Sequence, residues 1–271
     1  MDNPIAVSTW SLHRAMGAAY AHGPDGASDG AASFPWGHGD LSLPALPAAL
    51  KAHGFARAEI CHFHLALRSP AYLADVRAAF AREGVVIQTL LIDAGDVTDP
   101  VNGARDQAWI AAWIDDAALL GAENARVIAG KQKPSPQALA RSAEALKAFA
   151  ARGREKGVRI VTENWFDLLP SPLETHAVLD AVGPDLGLLA DTGNWHGEGK
   201  YSGLKSIFAR AELCHAKYDF ADDGAMDEGD AARWLAAASE AGYRGPLTLI
   251  FAGPGDEWEG LARERDFARS A

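Results

Sequence analysis

Residues 158–194 read VRIVTENWFDLLPSPLETHAVLDAVGPDLGLLADTGN and contain a complete strand–helix–strand unit. The β-rich runs 158–164 and 186–191 each have the length of a strand. Between them, Ser171 followed by proline is a typical helix start, and Gly183 follows the last helical residue, where a left-handed backbone favours glycine. Because a helix separates the two strands, the chain crosses back over the sheet and the strands run parallel.

The same alternation continues along the whole chain, with a helical pattern after each of eight β-rich runs. The predicted strands span residues 5–12, 56–62, 85–93, 124–129, 158–164, 186–191, 213–218 and 247–251. The predicted helices span residues 43–53, 70–83, 105–120, 136–156, 172–182, 204–210, 231–241 and 257–267, with Ser135, Ser171 and Asp230 as N-caps. Eight such repeats predict an α/β fold of the (β/α)8 TIM-barrel type, with residues 1–271 as a single domain.

A doubly wound open sheet is the main alternative fold. It usually carries a Gly-rich phosphate-binding turn after the first strand, whereas residues 8–11 read STWS. Residues 14–42, which link strand 1 to helix 1, form a longer loop than either fold normally has and are rich in Gly, Ala, Ser and Asp. This segment is interpreted either as a disordered insertion or as a lid over the substrate, and Phe34, Trp36 and His38 favour the lid.

The composition narrows the classes of partner. The formal net charge of -11 predicts a surface that repels nucleic acid and anionic membranes. No apolar run approaches the ~20 residues that span a bilayer, and residues 1–4 lack the basic and apolar regions of a signal peptide. Cys61 and Cys214 are too few for a disulfide framework and indicate free thiols in a reducing compartment. We therefore expect a cytoplasmic protein with neither a membrane nor nucleic acid as partner.

Polar and aromatic residues concentrate at the predicted carboxyl ends of the strands, which meet at one mouth of a barrel. Five of the nine histidines lie there, together with several carboxylates. The candidates for substrate binding at this mouth are Trp10, His13, His62, His64, Arg126, Trp165, Asn194 and His196. A pocket with oxygen and imidazole donors suits a divalent cation such as Mn²⁺, Mg²⁺, Co²⁺ or Zn²⁺.

Four short motifs on successive predicted strands carry a resemblance to a known family. They read VTEN at 161–164, LADTGN at 189–194, HAK at 215–217 and GPL at 245–247. In this order, the motifs resemble the xylose isomerase-like barrel superfamily, which contains sugar and sugar-phosphate isomerases, epimerases, dehydratases and the endonuclease IV group. The resemblance spans nearly the whole chain and implies a carbohydrate substrate.

In that superfamily a metal ion is held by a Glu on strand 5, an Asp on strand 6, a His on strand 7 and a Glu on strand 8. The resemblance therefore implies Glu163, Asp191 and His215 as metal ligands. The fourth ligand departs from the pattern, because residues 247–251 read LTLIF with Ile250 at the place of the glutamate. An isoleucine neither binds a metal nor moves a proton, so the two-carboxylate proton exchange of the isomerases needs a substitute group.

The candidate catalytic residues are Glu163, Lys217 and Glu59. Lys217 shares the parity of His215 on strand 7, so both can face the mouth. Glu59 lies where relatives often carry a strand-2 glutamate. The further substitutes for the missing carboxylate are His13, His62 and His64. The two histidines of strand 2 alternate to the face opposite Glu59, so these three residues cannot all point inward.

Structural interpretations of the same residues stay open beside the functional ones. His215 is also compatible with a hydrogen-bonded core histidine, and Asp191 with a cap of the turn that follows it. Glu163 is compatible with an ion pair to Arg126 or Lys217. Tryptophan at strand ends occurs in ordinary packing as well as in stacking on sugars.

The leading functional prediction is a metal-dependent isomerase or epimerase that acts on a sugar or polyol-derived substrate through an enediolate. A lyase or dehydratase is the first alternative, since loss of a β-hydroxyl after carbon deprotonation needs only one base and one acid. A non-catalytic sugar-binding barrel is the second, because Ile250 replaces the glutamate. A DNA-repair endonuclease is opposed by that replacement and by the net charge of -11. The resemblance is also compatible with a homo-oligomer, since relatives often form dimers or tetramers.

Overall fold

The structure, a computed structural model, describes residues 2–26 and 30–270 and contains a closed barrel of eight parallel strands. The strands are β1 (Ile5–Ser8), β2 (Arg57–Cys61), β3 (Val86–Leu91), β4 (Asn124–Val127), β5 (Arg159–Glu163), β6 (Leu186–Asp191), β7 (Leu213–Lys217) and β8 (Leu247–Ile250). Each strand pairs with the next along the chain, and β8 closes the barrel by pairing with β1. The prediction of a TIM barrel is confirmed.

A helix follows each strand and packs around the barrel. The helices are α1 (Leu46–Ala52), α2 (Pro70–Glu83), α3 (Gly103–Leu120), α4 (Pro136–Lys156), α5 (Pro172–Val182), α6 (Lys200–Phe208), α7 (Glu228–Glu240) and α8 (Glu257–Ser270). Two predicted caps are confirmed, because Ser135 Oγ accepts a hydrogen bond from Ala138 N and Ser171 Oγ accepts one from Leu173 N. Among the described residues, none of the helices is both long and apolar enough to cross a membrane.

The predicted N-cap of α7 is wrong. Asp227 rather than Asp230 caps this helix, and it accepts the hydrogen bond from the backbone amide of Asp230. The Asp230 side chain instead accepts hydrogen bonds from Lys200 Nζ and Tyr201 Oη of α6, each at 2.6 Å. Two aspartates three residues apart are equivalent as caps in sequence, and the neighbouring helix decides between them.

At the mouth, β1 and β2 each continue into a short helix where the sequence predicts further strand residues. β1 ends at Ser8 and continues as a 3₁₀ helix, Thr9–Leu12. β2 ends at Cys61 and continues as a second 3₁₀ helix, His62–His64. The two histidines are therefore not strand residues, and the expected strand alternation does not set their orientation.

The segment between β1 and α1 contains secondary structure of its own. Ala19–Ala21 and Ala31–Ser33 form an antiparallel pair, and residues 27–29 of the predicted lid lie outside the described residues. Trp36 packs edge-on against Trp10, with ring centroids 5.8 Å apart. The described part of the segment is thus folded against the mouth, which disfavours its interpretation as a disordered insertion. Its action as a lid stays a prediction.

The interior of the barrel beneath the mouth contains buried polar side chains. Gln88 Nε2 of β3 donates hydrogen bonds to Glu59 Oε1 at 2.9 Å and to Thr248 Oγ1 at 3.0 Å. A small cluster of buried apolar side chains contains one residue from each of β5, β6 and β7: Val161, Leu189 and Leu213. Hydrogen bonds between the polar side chains therefore join β2, β3 and β8 inside the barrel.

Candidate functional site

Three neighbouring strands bring two carboxylates and one imidazole together at the mouth. Glu163 ends β5, Asp191 ends β6, and His215 of β7 is the register partner of Asp191. His215 Nδ1 lies 3.5 Å from Glu163 Oε1 and 3.6 Å from Asp191 Oδ2. One donor atom from each residue lies within 4.8 Å of the others. Because two ligands about 2.1 Å from one cation are themselves roughly 3–4 Å apart, this donor set fits a metal ion.

Glu59 holds His215 from inside the barrel. Glu59 Oε2 lies 2.8 Å from His215 Nε2, while Oε1 accepts hydrogen bonds from Gln88 and Thr89, each at 2.9 Å. A neutral His215 with its proton on Nε2 donates to Glu59 and turns Nδ1 towards the two carboxylates, an arrangement typical of metal-ligating histidines. Glu59 is 0% exposed and does not line the cavity at the mouth. The geometry thus favours a positioning role through His215 over the predicted catalytic role.

Amide groups fix both carboxylates of the triad. Asn164 Oδ1 accepts a hydrogen bond from Asp191 N at 2.7 Å, and Asn164 Nδ2 donates to Asp191 O at 3.1 Å, which ties β5 to β6. Gly193 N donates to Asp191 Oδ1 at 2.7 Å, and Asn194 Nδ2 donates to Glu163 Oε1 at 3.0 Å. Asp191 therefore caps the turn with one oxygen and faces His215 with the other, so its structural and functional interpretations are compatible.

Arg126 extends the charged network towards the end of β3. Its guanidinium is hydrogen-bonded to Asp93, and Arg126 Nε lies 3.1 Å from Glu163 Oε2. The ion pair considered for Glu163 is therefore present, but it involves Oε2 and leaves Oε1 facing His215. Burial alone would raise the pKa of Asp93, yet the charge of Arg126 holds that pKa below its ordinary value.

The charges of the protein itself control the protonation of the triad. Burial alone would lower the pKa of His215, but the charges of Glu59 and Glu163 raise that pKa well above its ordinary value. Burial would raise the pKa values of Asp191 and Glu59, and their hydrogen bonds with His215 and its charge nevertheless hold both below the ordinary range. Since a ligating imidazole must be unprotonated at the metal-binding nitrogen, metal binding here competes with a proton.

A cavity of about 290 Å³ lies at the mouth, next to the triad. This volume is near the lower end of the roughly 300–1,000 Å³ of ligand pockets, which suits a small molecule. The charged side chains that line it are Asp93, Arg126, Glu163, Asp191, His215 and Lys217. The opposite side, formed by β8 and the end of β1, is apolar and includes Ile250, Ala252 and Trp10. The cavity is therefore charged on one side only.

Lys217 and Ile250 are register partners across the β7–β8 pair, and both line the cavity. The stem of Lys217 runs past Gly193, where a Cβ atom would lie 2.3 Å from Lys217 Cδ. A side chain at position 193 would thus push the lysine from its place. The glutamate that the resemblance implies for β8 is replaced by an isoleucine beside a lysine.

Four of the eight predicted substrate-binding residues line the cavity: Trp10, Arg126, Trp165 and Asn194. Arg126 Cζ lies 5.0 Å from the ring centroid of Trp165, and Phe166 stacks on the same indole with centroids 4.2 Å apart. Phe166 has φ of 58°, a strained value for a non-glycine residue. The strained residue thus stacks its ring on Trp165, which lines the cavity.

The four predicted histidines do not line the cavity. His13 Nδ1 lies 2.5 Å from a backbone carbonyl, and His196 is exposed in the loop after β6. His64 Nδ1 is 2.9 Å from a threonine hydroxyl of the first 3₁₀ helix, and burial lowers the pKa of His64 to about 3. His62 Nδ1 accepts a hydrogen bond from the Asp93 amide at 3.2 Å, so His62 contacts a residue of the cavity wall without lining the cavity itself.

Three residues of the site were not selected by the sequence argument. Asp93 is the last residue of the predicted strand 85–93, so its position at a strand end was an available signal, and it lines the cavity two residues after the observed end of β3. Asn164 follows Glu163 in the VTEN motif, but its bonds to the next strand are not visible in a sequence. Phe63 lines the cavity from a 3₁₀ helix, where neither strand nor helix periodicity predicts its direction.

Comparison with known proteins places the fold in a family. Residues 47–271 match the family model described as a xylose isomerase-like TIM barrel. No curated protein sequence matches the chain.

Solved structures with a similar fold include several sugar epimerases. A D-allulose 3-epimerase from Methylomonas sp. has a TM-score of 0.70 and 19% identity, over 100% of this chain and 99% of that one. A xylose isomerase-like TIM barrel protein from Mycobacterium smegmatis, in complex with magnesium, has a TM-score of 0.70 and 18% identity, over 99% of this chain and 96% of that one. An L-ribulose 3-epimerase has a TM-score of 0.72 and 16% identity, over 99% of this chain and 96% of that one. Identities this low show a shared fold.

Proposed function

The chain belongs to the xylose isomerase-like TIM barrel family, and from this premise we propose that it is a metal-dependent enzyme acting on a sugar or polyol-derived substrate. The observation that carries the proposal is the convergence of Glu163, Asp191 and His215, whose donor atoms lie within 4.8 Å of one another. TIM-barrel enzymes have their active sites at this end of the barrel. The neighbours named as allulose and ribulose epimerases support a carbohydrate substrate. We treat residues 1–271 as one functional domain.

Glu163, Asp191 and His215 would hold a divalent cation such as Mn²⁺, Mg²⁺, Co²⁺ or Zn²⁺, and the bound ion would polarise a substrate carbonyl. The chain itself supplies the geometry around that ion. Glu59 fixes the ring of His215, and Asn194 fixes Glu163.

The aromatic residues of the cavity would bind the substrate's apolar face. Trp10 and Trp165 present flat rings on which the C–H groups of a sugar can stack. The small volume of the cavity favours a single sugar unit over an oligosaccharide.

In the proposed reaction Glu163 accepts a proton from the carbon next to the carbonyl. An isomerase or epimerase must then return a proton to carbon, and on the β8 side Ile250 has none to donate. Lys217 is the register partner of Ile250 and the nearest strand residue able to replace it.

A lyase or dehydratase is the second candidate, and Ile250 favours it. Such a reaction transfers the carbon-bound proton to Glu163 and releases a β-hydroxyl, which takes up a proton from Lys217 as the acid and leaves as water. One base and one acid suffice, so a cavity with a carboxylate on one side only is adequate.

Metal analysis tests the metal site directly. In protein purified without chelator, we expect about one divalent ion per chain and a higher melting temperature on addition of Mn²⁺. Glu163→Gln and Asp191→Asn should lose both effects. Glu198→Gln and Asp75→Asn change exposed carboxylates of the same kinds outside the cavity and should retain them. Absence of metal and of any thermal shift in the wild type would contradict the proposal and favour the non-catalytic sugar-binding barrel.

Activity is tested with ketoses, aldoses and keto-inositols, with and without Mn²⁺, in D₂O. Proton abstraction at carbon introduces deuterium, which NMR detects even when no net product accumulates. Isomers among the products indicate the isomerase or epimerase, and loss of water indicates the dehydratase. Unchanged exchange in Glu163→Gln and Asp191→Asn would refute the proposed chemistry.

A further inference from the structure

Lys217 lines the cavity and forms no ion pair with a carboxylate in the described part of the chain. By contrast, the guanidinium of Arg126, which also lines the cavity, contacts both Asp93 and Glu163. The lining carboxylates are engaged elsewhere, since Asp191 is bonded to Gly193 and faces His215. The charge of Lys217 contributes to the lowered pKa of Asp191, but no carboxylate of the described residues forms an ion pair with it, so the cavity retains one positive charge without a directly bonded partner.

The surroundings of Lys217 explain why this charge stays unmatched. Its register partner on β8 is Ile250, and Ala252 follows on the same side of the cavity. Gly193 leaves room for the lysine stem, because a Cβ atom at that position would lie 2.3 Å from Lys217 Cδ. The ammonium group is thus carried on a half-buried stem beside an apolar wall, where a charge gains from an anionic partner.

We propose that the substrate carries a carboxylate and that Lys217 binds it. This inference rests on the proposed function and specifies its substrate class as a sugar acid. The triad would contact the carbonyl end of such a substrate, and the carboxylate would lie on the side of β7 and β8.

A carboxylate suits this place better than a phosphate. Phosphate sites usually combine an arginine fork, clustered backbone amides or a helix N-terminus. Here the guanidinium of Arg126 is already bound to Asp93 and near Glu163, and Lys217 is a single point charge. The cavity of about 290 Å³ also favours the smaller anion.

Calorimetry with matched pairs of sugars tests the inference. D-fructose and 2-keto-D-gluconate differ in the replacement of one CH₂OH group by a carboxylate, and D-glucose and D-glucuronate differ likewise at the other end of the chain. We expect the wild type to bind at least one acid about tenfold more tightly than its neutral partner. Lys217→Met should abolish this preference by weakening the acid alone, and Lys217→Arg should retain it.

Two further variants control the experiment. Lys131→Met removes a lysine that lies 4.9 Å from the Phe166 ring and does not line the cavity, so the preference should be unchanged. Ile250→Glu places a carboxylate beside Lys217 and should weaken the acid but not the neutral sugar. Melting temperatures verify that each variant is folded.

Equal binding of both members of each pair would overturn the inference, and so would equal weakening of both members by Lys217→Met. Tighter binding of D-fructose 6-phosphate than of 2-keto-D-gluconate would overturn it as well. A fall in turnover by Lys217→Met at unchanged dissociation constants would also overturn it, since that pattern assigns proton transfer alone. If metal binding and turnover of neutral sugars persist without any acid preference, only this inference fails. If a Lys217-dependent acid preference occurs without metal or turnover, only the proposed enzyme fails.

Discussion

The barrel interior beneath the mouth and the layer between β7 and the helices α7 and α8 each bury a glutamate completely. Glu59 in the interior and Glu264 of α8 are both 0% exposed. Glu59 is bonded to Gln88, Thr89 and His215. Neither carboxyl oxygen of Glu264 has a hydrogen-bond partner among the described residues.

Opposite pKa shifts follow from these surroundings. Burial raises the pKa of Glu264 well above its ordinary value of 4.5, and nothing opposes it. The same burial acts on Glu59, but the charge and hydrogen bonds of its partners lower the pKa instead. Whether a buried carboxyl group is ionised therefore depends on its charged and hydrogen-bonding partners as well as on its burial. The interior is built around an ionised carboxylate, while in the outer layer burial favours the protonated form of Glu264.

The largest expected effect comes from removing the charge of Glu59, whose carboxylate has several partners in the barrel interior. Glu59→Gln removes the negative charge that faces His215, and we expect the free energy of unfolding to fall by about 3 kcal/mol. Mn²⁺ affinity should fall roughly 10- to 100-fold, because His215 loses the group that orients it. Urea denaturation and metal titration measure the two effects. The matched change Glu264→Gln should leave Mn²⁺ affinity unchanged, and equal loss of affinity in both variants would contradict the positioning role of Glu59.

Replacement of Glu264 in the outer layer should instead raise the free energy of unfolding. Glu264→Met replaces a buried carboxyl group without partners by an apolar side chain of similar size, so we expect a gain of about 1–2 kcal/mol in unfolding free energy at pH 8. Urea denaturation of the variant beside the wild type measures it. A loss of stability would mean that Glu264 has a partner that compensates its burial.

The pH dependence sharpens the same comparison. Between the ordinary carboxyl pKa of 4.5 and the raised value of Glu264, the folded protein holds a proton that the unfolded chain has released. Stability from this group is therefore present below pH 4.5 and is lost as the pH rises through that window, by about 1.4 kcal/mol per unit of pKa shift. The advantage of Glu264→Met over the wild type should shrink by about 1 kcal/mol or more from pH 8 to pH 5. An advantage that does not change with pH would refute the raised pKa.

The smallest effect is expected at a neighbouring hydroxyl. Tyr218 Oη is buried without a hydrogen-bond partner in the described part of the chain, whereas Tyr243 Oη donates to Pro246 O at 2.6 Å. Tyr218→Phe should change the unfolding free energy by less than about 0.5 kcal/mol, and Tyr243→Phe should lower it by about 1 kcal/mol. Thermal denaturation compares the two variants, and equal losses would show that Tyr218 has a bonding partner.

Local patterns carried most of the fold prediction. Helices α2, α4 and α5 begin and end at the predicted residues 70–83, 136–156 and 172–182, since serine caps and C-terminal glycines mark both ends. The strand ends at the mouth were predicted less well. Ser8 and Cys61 lead into 3₁₀ helices, whose hydrogen bonds leave no periodic signature over three or four residues.

The predictions for the candidate site were likewise correct for residues marked by strand ends and motifs, and incomplete where the direction of a side chain mattered. The triad of Glu163, Asp191 and His215 follows from strand ends and family motifs, and the structure brings its donor atoms together. His13, His62 and His64 also lie at or just after predicted strand ends. Their side chains nevertheless contact backbone and hydroxyl groups and do not line the cavity. Position at a strand end predicts the mouth but not the direction in which a side chain points.

By itself the sequence determined the barrel, its eight strand–helix repeats and the residues that reach its mouth, because hydrophobic period, caps and breakers act between near neighbours in the chain. Only the tertiary structure decided that Glu59 lies beneath His215 and that Arg126 lies between Asp93 and Glu163. It also decided that Glu264 has no hydrogen-bond partner within residues 2–26 and 30–270. Those contacts join residues far apart in sequence, and their energies depend on distance and burial, which exist only once the chain has closed.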